Sequence, residues 1–509
     1  MALVNNAGKL TADCDCVTMP YDLGKRDFSG VLSLMKQRQV VIGMDLGTGG
    51  ARVVACDRDG TIVASGQQAL SHSSSGGAPG HCEQDTSDWW DTTARALRQL
   101  VSELGAGSRP LALAVDSTSG TIVPVDENSN ALSSALMHND TRAGNEAVEV
   151  GAIAGHPVSA TFALPKAVWI RRHLLEVFSR TSRFVHEADF IVGKLTGEFG
   201  VSDTFNVLKM GYDLHQEKWP AFIETKLGIP LKMLPKVVEP GALIGTVSAD
   251  ASRRTGIPEG TPVVAGATDS NAAFFASGAT REGEWNSTLG TSLALKGISR
   301  THIADPLGRV YCHRHPERLW LPGSASNTGA DCMRVLFDRE YESLNERVAE
   351  RLPSRLVVYP LVRKGERFPF INHDAVGFIV GNPVDKLDLL AGYMEGVAYV
   401  ERWGYEVLES LGAPVSETVY ATGGGSQSDT WLRIRANVLD RVLMRAAVAE
   451  SAMGAAIIAA SRTMYSSLSE ASSNMVKVEF EVEPERATAE RYDVLYARFR
   501  DEMKKRGYG

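Results

Sequence analysis

Short apolar runs separated by glycine-rich turns occur in two distant parts of the chain. The first part comprises residues 40–45, 51–57 and 61–64, and the second is residues 285–295, which has a Gly-Thr turn at its centre. Apolar runs of about four to eight residues bounded by turn residues predict β-strands, and short turns between them predict antiparallel neighbours. We therefore expect an α/β protein with two domains of related design and a boundary near residues 277–286.

Longer periodic segments predict helices between and after these strands. Residues 86–88 supply the side-chain oxygens of an N-cap for the first helix, and Gly412 with Pro414 ends the second. The last of these helices is rich in alanine, which suits it to close packing. The predicted helices cover residues 89–104, 384–411, 429–439 and 450–461.

Composition narrows the class of protein. The 509 residues are 44% hydrophobic and 22% charged, and the net charge is −8. A negative charge argues against nucleic acid and anionic membranes as partners, and no apolar run reaches the roughly 18 residues of a spanning helix. Residues 1–39 contain no strand-like run and no apolar signal core, so we expect a loosely ordered extension there.

The six cysteines are scattered, which predicts a reducing compartment rather than a disulfide framework. Residues 14–16 (Cys-Asp-Cys) and 312–315 (Cys-His-Arg-His) contain metal-ligating residue types. Neither segment has the paired spacing of a structural zinc site. We interpret these cysteines as ordinary buried or surface thiols.

Asp269 follows a predicted buried strand, residues 262–268, and precedes a predicted helix. Its neighbours are mostly glycine, alanine and small polar residues, and small residues would let a substrate approach the backbone. A carboxylate in this place could accept the proton of a substrate hydroxyl during phosphoryl transfer. An N-cap for the following helix is the alternative role.

The turn at residues 45–50 (Asp-Leu-Gly-Thr-Gly-Gly) is suited to phosphate. Its glycines leave backbone N–H groups able to face phosphate oxygens, and Thr48 adds a hydroxyl donor. Asp45 offers the oxygen ligands that Mg²⁺ prefers, and Arg52 on the next strand could reach a transferring phosphoryl group. A plain hairpin turn is the alternative, and the Walker pattern of P-loop enzymes is absent from the sequence.

Residues 289–292 (Leu-Gly-Thr-Ser) form a second Gly-Thr turn of the same kind in the second half. Later, residues 423–425 (Gly-Gly-Gly) join a predicted strand to a helix, where a flat adenine or ribose could lie on bare backbone. A plain strand-to-helix turn has the same sequence. Two Gly-Thr hairpins on either side of a strand-end aspartate together predict a kinase whose base is Asp269.

In this order, the motifs resemble those of the FGGY carbohydrate kinases, which include xylulokinase, ribulokinase and glycerol kinase. The resemblance covers about residues 40–500. Shorter family-like matches lie at residues 83–85, 139–142, 195–198, 202–203, 365–369 and 395–398. It implies two ribonuclease-H-like domains of the actin and hexokinase superfamily, separated by a cleft that closes on ATP, Mg²⁺ and a sugar. Residues 40–280 would form the domain for the sugar and first phosphate loop, and residues 281–509 the nucleotide domain.

The resemblance also implies roles for individual residues. Asp269 matches the catalytic base and a sugar contact, and Asp45 matches a contact to both Mg²⁺ and the sugar. The residues that match the family's nucleotide site are Gly47, Thr48, Gly49, Arg52, Gly290, Thr291, Gly329, Gly424, Gly425 and Asp429.

The sugar pocket departs from bacterial xylulokinases. Those enzymes resemble one another in a Gln-Met-His segment, where this chain has Ser117, Thr118 and Ser119. The pattern is more similar to a plant and cyanobacterial branch whose members look like D-ribulose kinases. We therefore expect D-ribulose as the sugar, with D-xylulose as the alternative. An ST-turn at the strand end is the other role open to these hydroxyls.

The resemblance implies a cytoplasmic or plastid enzyme, either a monomer or a homodimer. An actin-like ATPase clamp without sugar kinase activity would also use two Gly-Thr loops. Asp269 with its small neighbours, and the lack of a separate peptide-binding domain, favour the kinase. A degenerate kinase that acts as a regulator is the third hypothesis, although no part of the catalytic set is missing.

Overall fold

The computed structural model describes residues 37–71, 77–105 and 107–509. Most of the predicted N-terminal extension lies outside these residues, but Arg38 and Gln39 already belong to the first strand. Across these ranges, no helix combines the length and apolar character needed to cross a membrane.

Regular elements of the first half run from Arg38 to Phe275. The strands are β1 (Arg38–Gly47), β2 (Gly50–Cys56), β3 (Ile62–Ala69), β4 (Glu83–Gln84), β5 (Ser108–Ser117), β6 (Ile122–Val125), β7 (Ala135–Leu136), β8 (Arg183–His186), β9 (Val201–Asp203), β10 (Lys236–Val238), β11 (Leu243–Thr246) and β12 (Pro262–Thr268). The α-helices are α1 (Thr86–Leu104), α2 (Gly144–Ala154), α3 (Ala163–His173), α4 (Leu175–Arg180), α5 (Glu187–Thr196), α6 (Phe222–Thr225), α7 (Ala249–Thr255) and α8 (Asp269–Phe275).

Regular elements of the second half run from Trp285 to Lys505. The strands are β13 (Trp285–Leu289), β14 (Leu293–Gly297), β15 (Val310–Arg314), β16 (Trp320–Ser326), β17 (Val357–Tyr359), β18 (Phe378–Val380), β19 (Thr418–Thr422), β20 (Val442–Ala446) and β21 (Val478–Val482). The α-helices are α9 (Asp331–Leu336), α10 (Tyr341–Asn345), α11 (Lys386–Ser410), α12 (Asp429–Leu439), α13 (Ser451–Ala460), α14 (Leu468–Met475) and α15 (Arg486–Lys505).

The predicted strands and helices are present, with some bounds shifted by a few residues. The meander of the first half is β1 to β3, whose neighbours pair antiparallel. The first helix begins earlier than predicted, at Thr86. Asp85, rather than residues 86–88, is its N-cap and accepts a hydrogen bond from Ser87 N at 2.8 Å.

The two large sheets share one strand plan. The first has the order β11-β12-β5-β1-β2-β3, and the second has the order β15-β16-β14-β13-β19-β20-β21. In each, three antiparallel strands (β1 to β3; β13, β14 and β16) are followed by two parallel strands and an antiparallel edge strand. The second sheet adds one further antiparallel strand, β15, beyond β16. This is the related design expected from the sequence, and α/β architecture is confirmed.

Helices α8 and α13 join the two halves. They pack closely, since a Cβ added at Gly454 would lie only 1.8 Å from Ala272 O. The α13 backbone also contacts Gly43 of β1. The buried cluster around these helices includes Ala112 from the first sheet and Leu321 from the second. Although α13 follows most of the second sheet in sequence, it therefore completes the core on one face of the first sheet.

Candidate active site

Three parallel strands bring carboxylates to one edge of the first sheet. Strands β1, β5 and β12 are neighbours, so their carboxyl ends lie together. Asp45 on β1 lies opposite Asp116 on β5, and Thr268 at the end of β12 lies opposite Ser117. Asp269 follows directly, so the fold assembles three aspartates at this edge.

Asp269 is the first residue of α8, and Thr268 holds the N-cap position without a side-chain cap bond. The hydrogen bond that Asp269 Oδ1 accepts comes from its neighbour, Ser270 N, at 2.6 Å. A true N-cap would serve a later residue, so the cap interpretation does not hold. Burial is the main cause of the raised pKa of Asp269. A raised pKa brings a carboxylate closer to the range that suits a general base.

The small residues before Asp269 have a different cause from the one expected. A Cβ at Gly266 would lie 1.8 Å from Val115 O of the neighbouring strand β5. Ala265 and Ala267 are buried in the same strand. The close approach of β5 therefore accounts for the glycine at position 266.

The carboxylate cluster extends deeper than the sequence indicated. Asp116 is fully buried, and among the described residues no donor is positioned on either of its oxygens. Burial, and then the charges of Asp45 and Asp269, raise the pKa of Asp116 well above its usual value. Burial also raises the pKa of Asp45, and raises that of Glu187 to about 8. At least one of these acids therefore keeps a proton at neutral pH, and a proton on Asp116 would bond to Asp45.

Three basic side chains also interact with Asp269. The charges of His138, Lys209 and Lys296 all lower the pKa of Asp269 against the effect of burial. Burial lowers the pKa of each of the three in turn, and that of Lys296 falls to about 7. Lys209 Nζ donates to Ser119 O at 2.9 Å, which fixes it beside the predicted sugar segment. Asp269 thus interacts with acidic groups that disfavour its charge and with basic groups that favour it.

The predicted sugar segment has three different environments. Ser117 is fully buried, and its hydroxyl has no hydrogen-bond partner among the described residues. Thr118 donates its N–H at 3.2 Å and its hydroxyl to Glu187 Oε2, and its hydroxyl also contacts Thr121 Oγ1 at 2.7 Å. Ser119 is partly exposed. The Thr118 hydroxyl is therefore engaged by Glu187, and the ST-turn alternative does not describe it.

The first hairpin places its turn beside Asp45. Gly47 pairs with Gly50, which leaves Thr48 and Gly49 as the turn. Gln84 Nε2 donates to Thr48 O at 2.9 Å and holds this turn from the side. Arg52 lies opposite Asp45 on β2, donates to Asp45 Oδ2 at 3.3 Å and is half exposed.

The second hairpin is held from behind by residues 326–331. Ala330 N donates to Gly290 O at 2.8 Å, and Asp331 N donates to Thr291 O at 3.4 Å. A Cβ at Gly329 would lie 2.5 Å from Ser292 Cα, so packing against this turn already accounts for the glycine. Its matched role as a nucleotide contact stays a prediction.

Glu366 holds residues 326–331, the segment behind the second turn, and sequence patterns alone had not indicated a role for it. Its buried carboxylate accepts hydrogen bonds from Ser326 Oγ at 2.9 Å, Asn327 N at 2.6 Å, Thr328 Oγ1 at 2.8 Å and Tyr359 OH at 3.0 Å. The only sequence signal was the family-like segment at residues 365–369. A strong acceptor here fixes the segment on which the second turn rests.

The triple-glycine turn lies at the carboxyl end of β19. A Cβ at Gly425 would lie 2.5 Å from the Leu289 side chain, so this glycine is required by packing against β13. Asp429 begins α12, is half exposed and accepts from Arg445 Nη1 at 2.9 Å. That ion pair leaves part of the Asp429 carboxylate accessible at the edge of the turn.

Four of the predicted nucleotide glycines are not explained by the protein itself. Gly47, Gly49, Gly290 and Gly424 have no left-handed φ. No described protein atom lies closer than 3.9 Å to a Cβ added at any of them. Neither backbone strain nor packing requires glycine there, so these positions leave room for a ligand to approach the backbone closely. The residues therefore fit a bound nucleoside triphosphate.

Comparison with known proteins agrees with this geometry. Models of the FGGY family of carbohydrate kinases match at residues 40–276 for the N-terminal domain and 286–463 for the C-terminal domain. Xylulose kinase from Bacillus subtilis (strain 168) is 25% identical over 479 residues, which cover 90% of this chain and 95% of that protein. Autoinducer-2 kinase from Klebsiella pneumoniae subsp. pneumoniae is 25% identical over 459 residues, covering 82% and 85%.

Solved structures show the same fold. The crystal structure of xylulose kinase from Rhodospirillum rubrum has a TM-score of 0.82 and 28% identity, and covers 92% of this chain and 98% of that one. The two family matches together span most of the chain, and they divide where the strands change from one sheet to the other. The chain therefore belongs to the FGGY family of carbohydrate kinases and is a phosphotransferase.

Proposed function

We propose that this enzyme transfers the γ-phosphoryl group of ATP to the terminal hydroxyl of a ketopentose, with D-ribulose as its preferred sugar. The observation that supports this most directly is Asp269, a carboxylate at the end of β12 whose charge interacts with both the acidic cluster and the basic groups. Family membership decides against the ATPase-clamp alternative. It leaves the choice of sugar open.

The chemistry assigned to Asp269 is proton acceptance. The sugar hydroxyl loses its proton to the Asp269 carboxylate, its oxygen forms the new bond to the γ-phosphorus, and the bond to the β-phosphate oxygen breaks as ADP leaves. Burial raises the pKa of Asp269, whereas His138, Lys209 and Lys296 keep its charged form accessible. Burial therefore makes the carboxylate a better proton acceptor, and the three basic groups favour its charged form.

The nucleotide would lie across the two hairpins and the triple-glycine turn. Thr48 and Thr291 would donate hydroxyls to phosphate oxygens, Arg52 would offset their charge, and the residues at Gly424 and Asp429 would contact adenosine. A bound Mg²⁺ would neutralise phosphate charge, and Asp45 is the residue proposed to hold it. Closure of the cleft would exclude water, which otherwise would accept the phosphoryl group.

The argument for D-ribulose rests on the segment Ser117 to Ser119. Small hydroxyl residues leave a different pocket from the Gln-Met-His segment of bacterial xylulokinases. The Ser117 hydroxyl lies buried at the end of β5 with no partner among the described residues. D-xylulose is the second candidate, because curated relatives at 22–26% identity are described as xylulose kinases. The same level of identity also includes an autoinducer-2 kinase and a gluconokinase.

The test is a coupled ADP-release assay with Mg-ATP and D-ribulose, D-xylulose, L-ribulose, glycerol or no sugar. We expect the highest kcat/KM with D-ribulose. A higher value with D-xylulose would replace the proposed sugar, and hydrolysis that does not depend on sugar would contradict the proposal. Asp269→Ala serves as the control for true transfer, and it should retain ATP binding. Cytoplasmic or plastid location, and a monomeric or dimeric state, stay predictions.

A further inference from the structure

Lys296 extends from the second sheet to the helix that begins with Asp269. It lies on β14, opposite Asn286 of β13 and Gly323 of β16. It is only 7% exposed. Its Nζ donates to Asn271 Oδ1 at 2.7 Å and approaches Ser270 O at 3.4 Å, and both acceptors belong to α8. One ammonium thus connects the second strand of the second hairpin to helix α8 of the first half.

The bonds of Lys296 continue to the residue that precedes Asp269. Asn271 is fully buried, and its Nδ2 donates to Thr268 Oγ1 at 2.7 Å. The chain Lys296–Asn271–Thr268 therefore fixes the backbone on both sides of Asp269. Because Asp269 Oδ1 also bonds to Ser270 N, the direction of the carboxylate depends on this backbone.

A buried ammonium is costly, and this one has no ion-pair partner among the described carboxylates. Its side-chain partner is a neutral amide. The favourable charge near it is Asp269, while Lys209 and His313 are its basic neighbours. A neutral residue of similar size would serve packing at lower cost, so the charge itself needs an explanation.

We propose that Lys296 is a positioning residue for Asp269, which orients the base through Asn271 and Ser270 and keeps its carboxyl ionised. This inference rests on the proposed role of Asp269. Asp45, Asp116 and Glu187 all repel a charge on Asp269, whereas His138, Lys209 and Lys296 favour it. Without the charge of Lys296, the repulsion of the three acids on the Asp269 carboxylate would be opposed only by the other two basic groups, His138 and Lys209.

The test compares Lys296→Met, Lys296→Gln and Lys296→Arg in the full-length enzyme. In Lys296→Met we expect kcat to fall about 100-fold, as for a misplaced catalytic group. In the pH profile of kcat/KM, the acid limb is the rise in activity as Asp269 loses its proton. This limb should move up by about one pH unit, as expected for loss of a nearby opposite charge. Lys296→Gln can still donate to Asn271 but has no charge, so the limb should move there too. Lys296→Arg should keep the limb near the wild-type position.

Lys166→Met is the matched control. Lys166 is a second buried lysine, and burial lowers its pKa to about 7 as well. Its Nζ donates to the carbonyls of Gly120, Met137 and Thr161 rather than to α8. Lys166→Met is expected to lose stability but keep the wild-type acid limb. Circular dichroism and thermal unfolding of each variant separate loss of fold from loss of positioning.

The outcomes separate the inference from the function on which it rests. A folded Lys296→Met or Lys296→Gln with the wild-type acid limb would overturn the role of Lys296, provided that Asp269→Asn is inactive. Wild-type turnover in Asp269→Asn would instead overturn the proposed base, and the Lys296 inference with it. A limb that moves equally in Lys166→Met would show a general effect of buried charge and would also overturn the inference.

Discussion

The two Gly-Thr hairpins have equivalent places in two sheets with the same strand plan, yet their surroundings differ in charge. Two pairs in from the turn, the first hairpin has Asp45 opposite Arg52, and the second has Ser287 opposite Leu295. The first turn is held by Gln84, and the second rests on residues 326–331, which Glu366 fixes. The compared strand pair is therefore charged in the first hairpin and neutral in the second.

This difference explains how one strand plan can supply two functions. A turn with bare N–H groups can bind phosphate wherever it occurs, because the donors belong to the backbone. Proton transfer and metal binding need side-chain carboxylates. In the compared strand pairs, the first hairpin supplies the carboxylate of Asp45, whereas the second has Ser287 and Leu295. We therefore propose that both hairpins bind the nucleotide and that the first also contributes to the chemistry.

The largest effect is expected from Asp45→Asn. Loss of the proposed Mg²⁺ ligand should lower kcat about 100-fold or more, within the range for removal of a catalytic electrostatic group. Ser287→Ala is the control at the matching register position of the second hairpin. It removes an acceptor for Arg435 Nη2 and should reduce stability with little change in kcat. Steady-state kinetics at several Mg²⁺ concentrations measure both, and equal losses in the two variants would break the comparison.

Thr48→Val and Thr291→Val test the property that the hairpins are proposed to share. Each removes one hydroxyl donor to phosphate, which should raise the KM for ATP about tenfold, equal to about 1.4 kcal/mol. The KM for the sugar should change little in either variant. A large effect in one and none in the other would show that only one turn contacts the nucleotide.

A smaller effect on activity is expected from Glu366→Gln. The amide cannot accept all the hydrogen bonds of the carboxylate, so the free energy of unfolding should fall by about 2 kcal/mol. The KM for ATP should rise several-fold because the backing of the second turn loosens. Glu395→Gln is the control, since Glu395 is equally buried in this half but bonds to Ser354 N and Tyr492 OH. An unchanged KM in Glu366→Gln would contradict the support role.

The smallest effect on turnover is expected from Glu187→Gln, whose readout is stability. Burial raises the pKa of Glu187 from 4.5 to about 8, so the folded protein keeps a proton that the unfolded chain has released. This contribution is complete below the unfolded pKa and is lost as pH rises through the folded pKa. Between about pH 5 and 7, stability should fall by up to about 1.4 kcal/mol per pH unit from this group.

Glutamine mimics the protonated acid and should remove that slope. Urea unfolding of wild type and Glu187→Gln at three pH values in this range measures it. The buried lysines stay mostly protonated in both states below about pH 7, so they do not mask the effect. Parallel slopes in the two proteins would show that Glu187 is ionised in the fold.

Local patterns determined most of the elements that form the site. Alternation of apolar runs with Gly-Thr turns predicted β1, β2, β13 and β14, because strands and tight turns depend on neighbours in sequence. The position of Asp269 at a strand end was visible for the same reason. The alanine-rich segment predicted α13 and its close packing.

Other features needed residues that are far apart in the chain. Sequence alone gave no reason to connect Asp116 with Glu187, to set Lys296 beside Asn271, or to place α13 on the first sheet. Propensity and periodicity describe only short segments, whereas burial and charge coupling depend on which segments meet. The N-cap of α1 shows the same limit on a small scale. Asp85 and residues 86–88 all carry side-chain oxygens that could cap the helix, and local sequence did not show which of them would.

Local sequence patterns were enough to predict the meander of β1 to β3, the two Gly-Thr turns and the aspartate at the end of β12. The sequence by itself also determined the resemblance to the FGGY family, because short motifs in a fixed order are a property of the chain. Only the tertiary structure decided which groups surround Asp269 and how their charges oppose one another. Electrostatic interactions weaken with the distance between groups and strengthen with burial. Neither the distances nor the burial can be read from the order of residues in the chain.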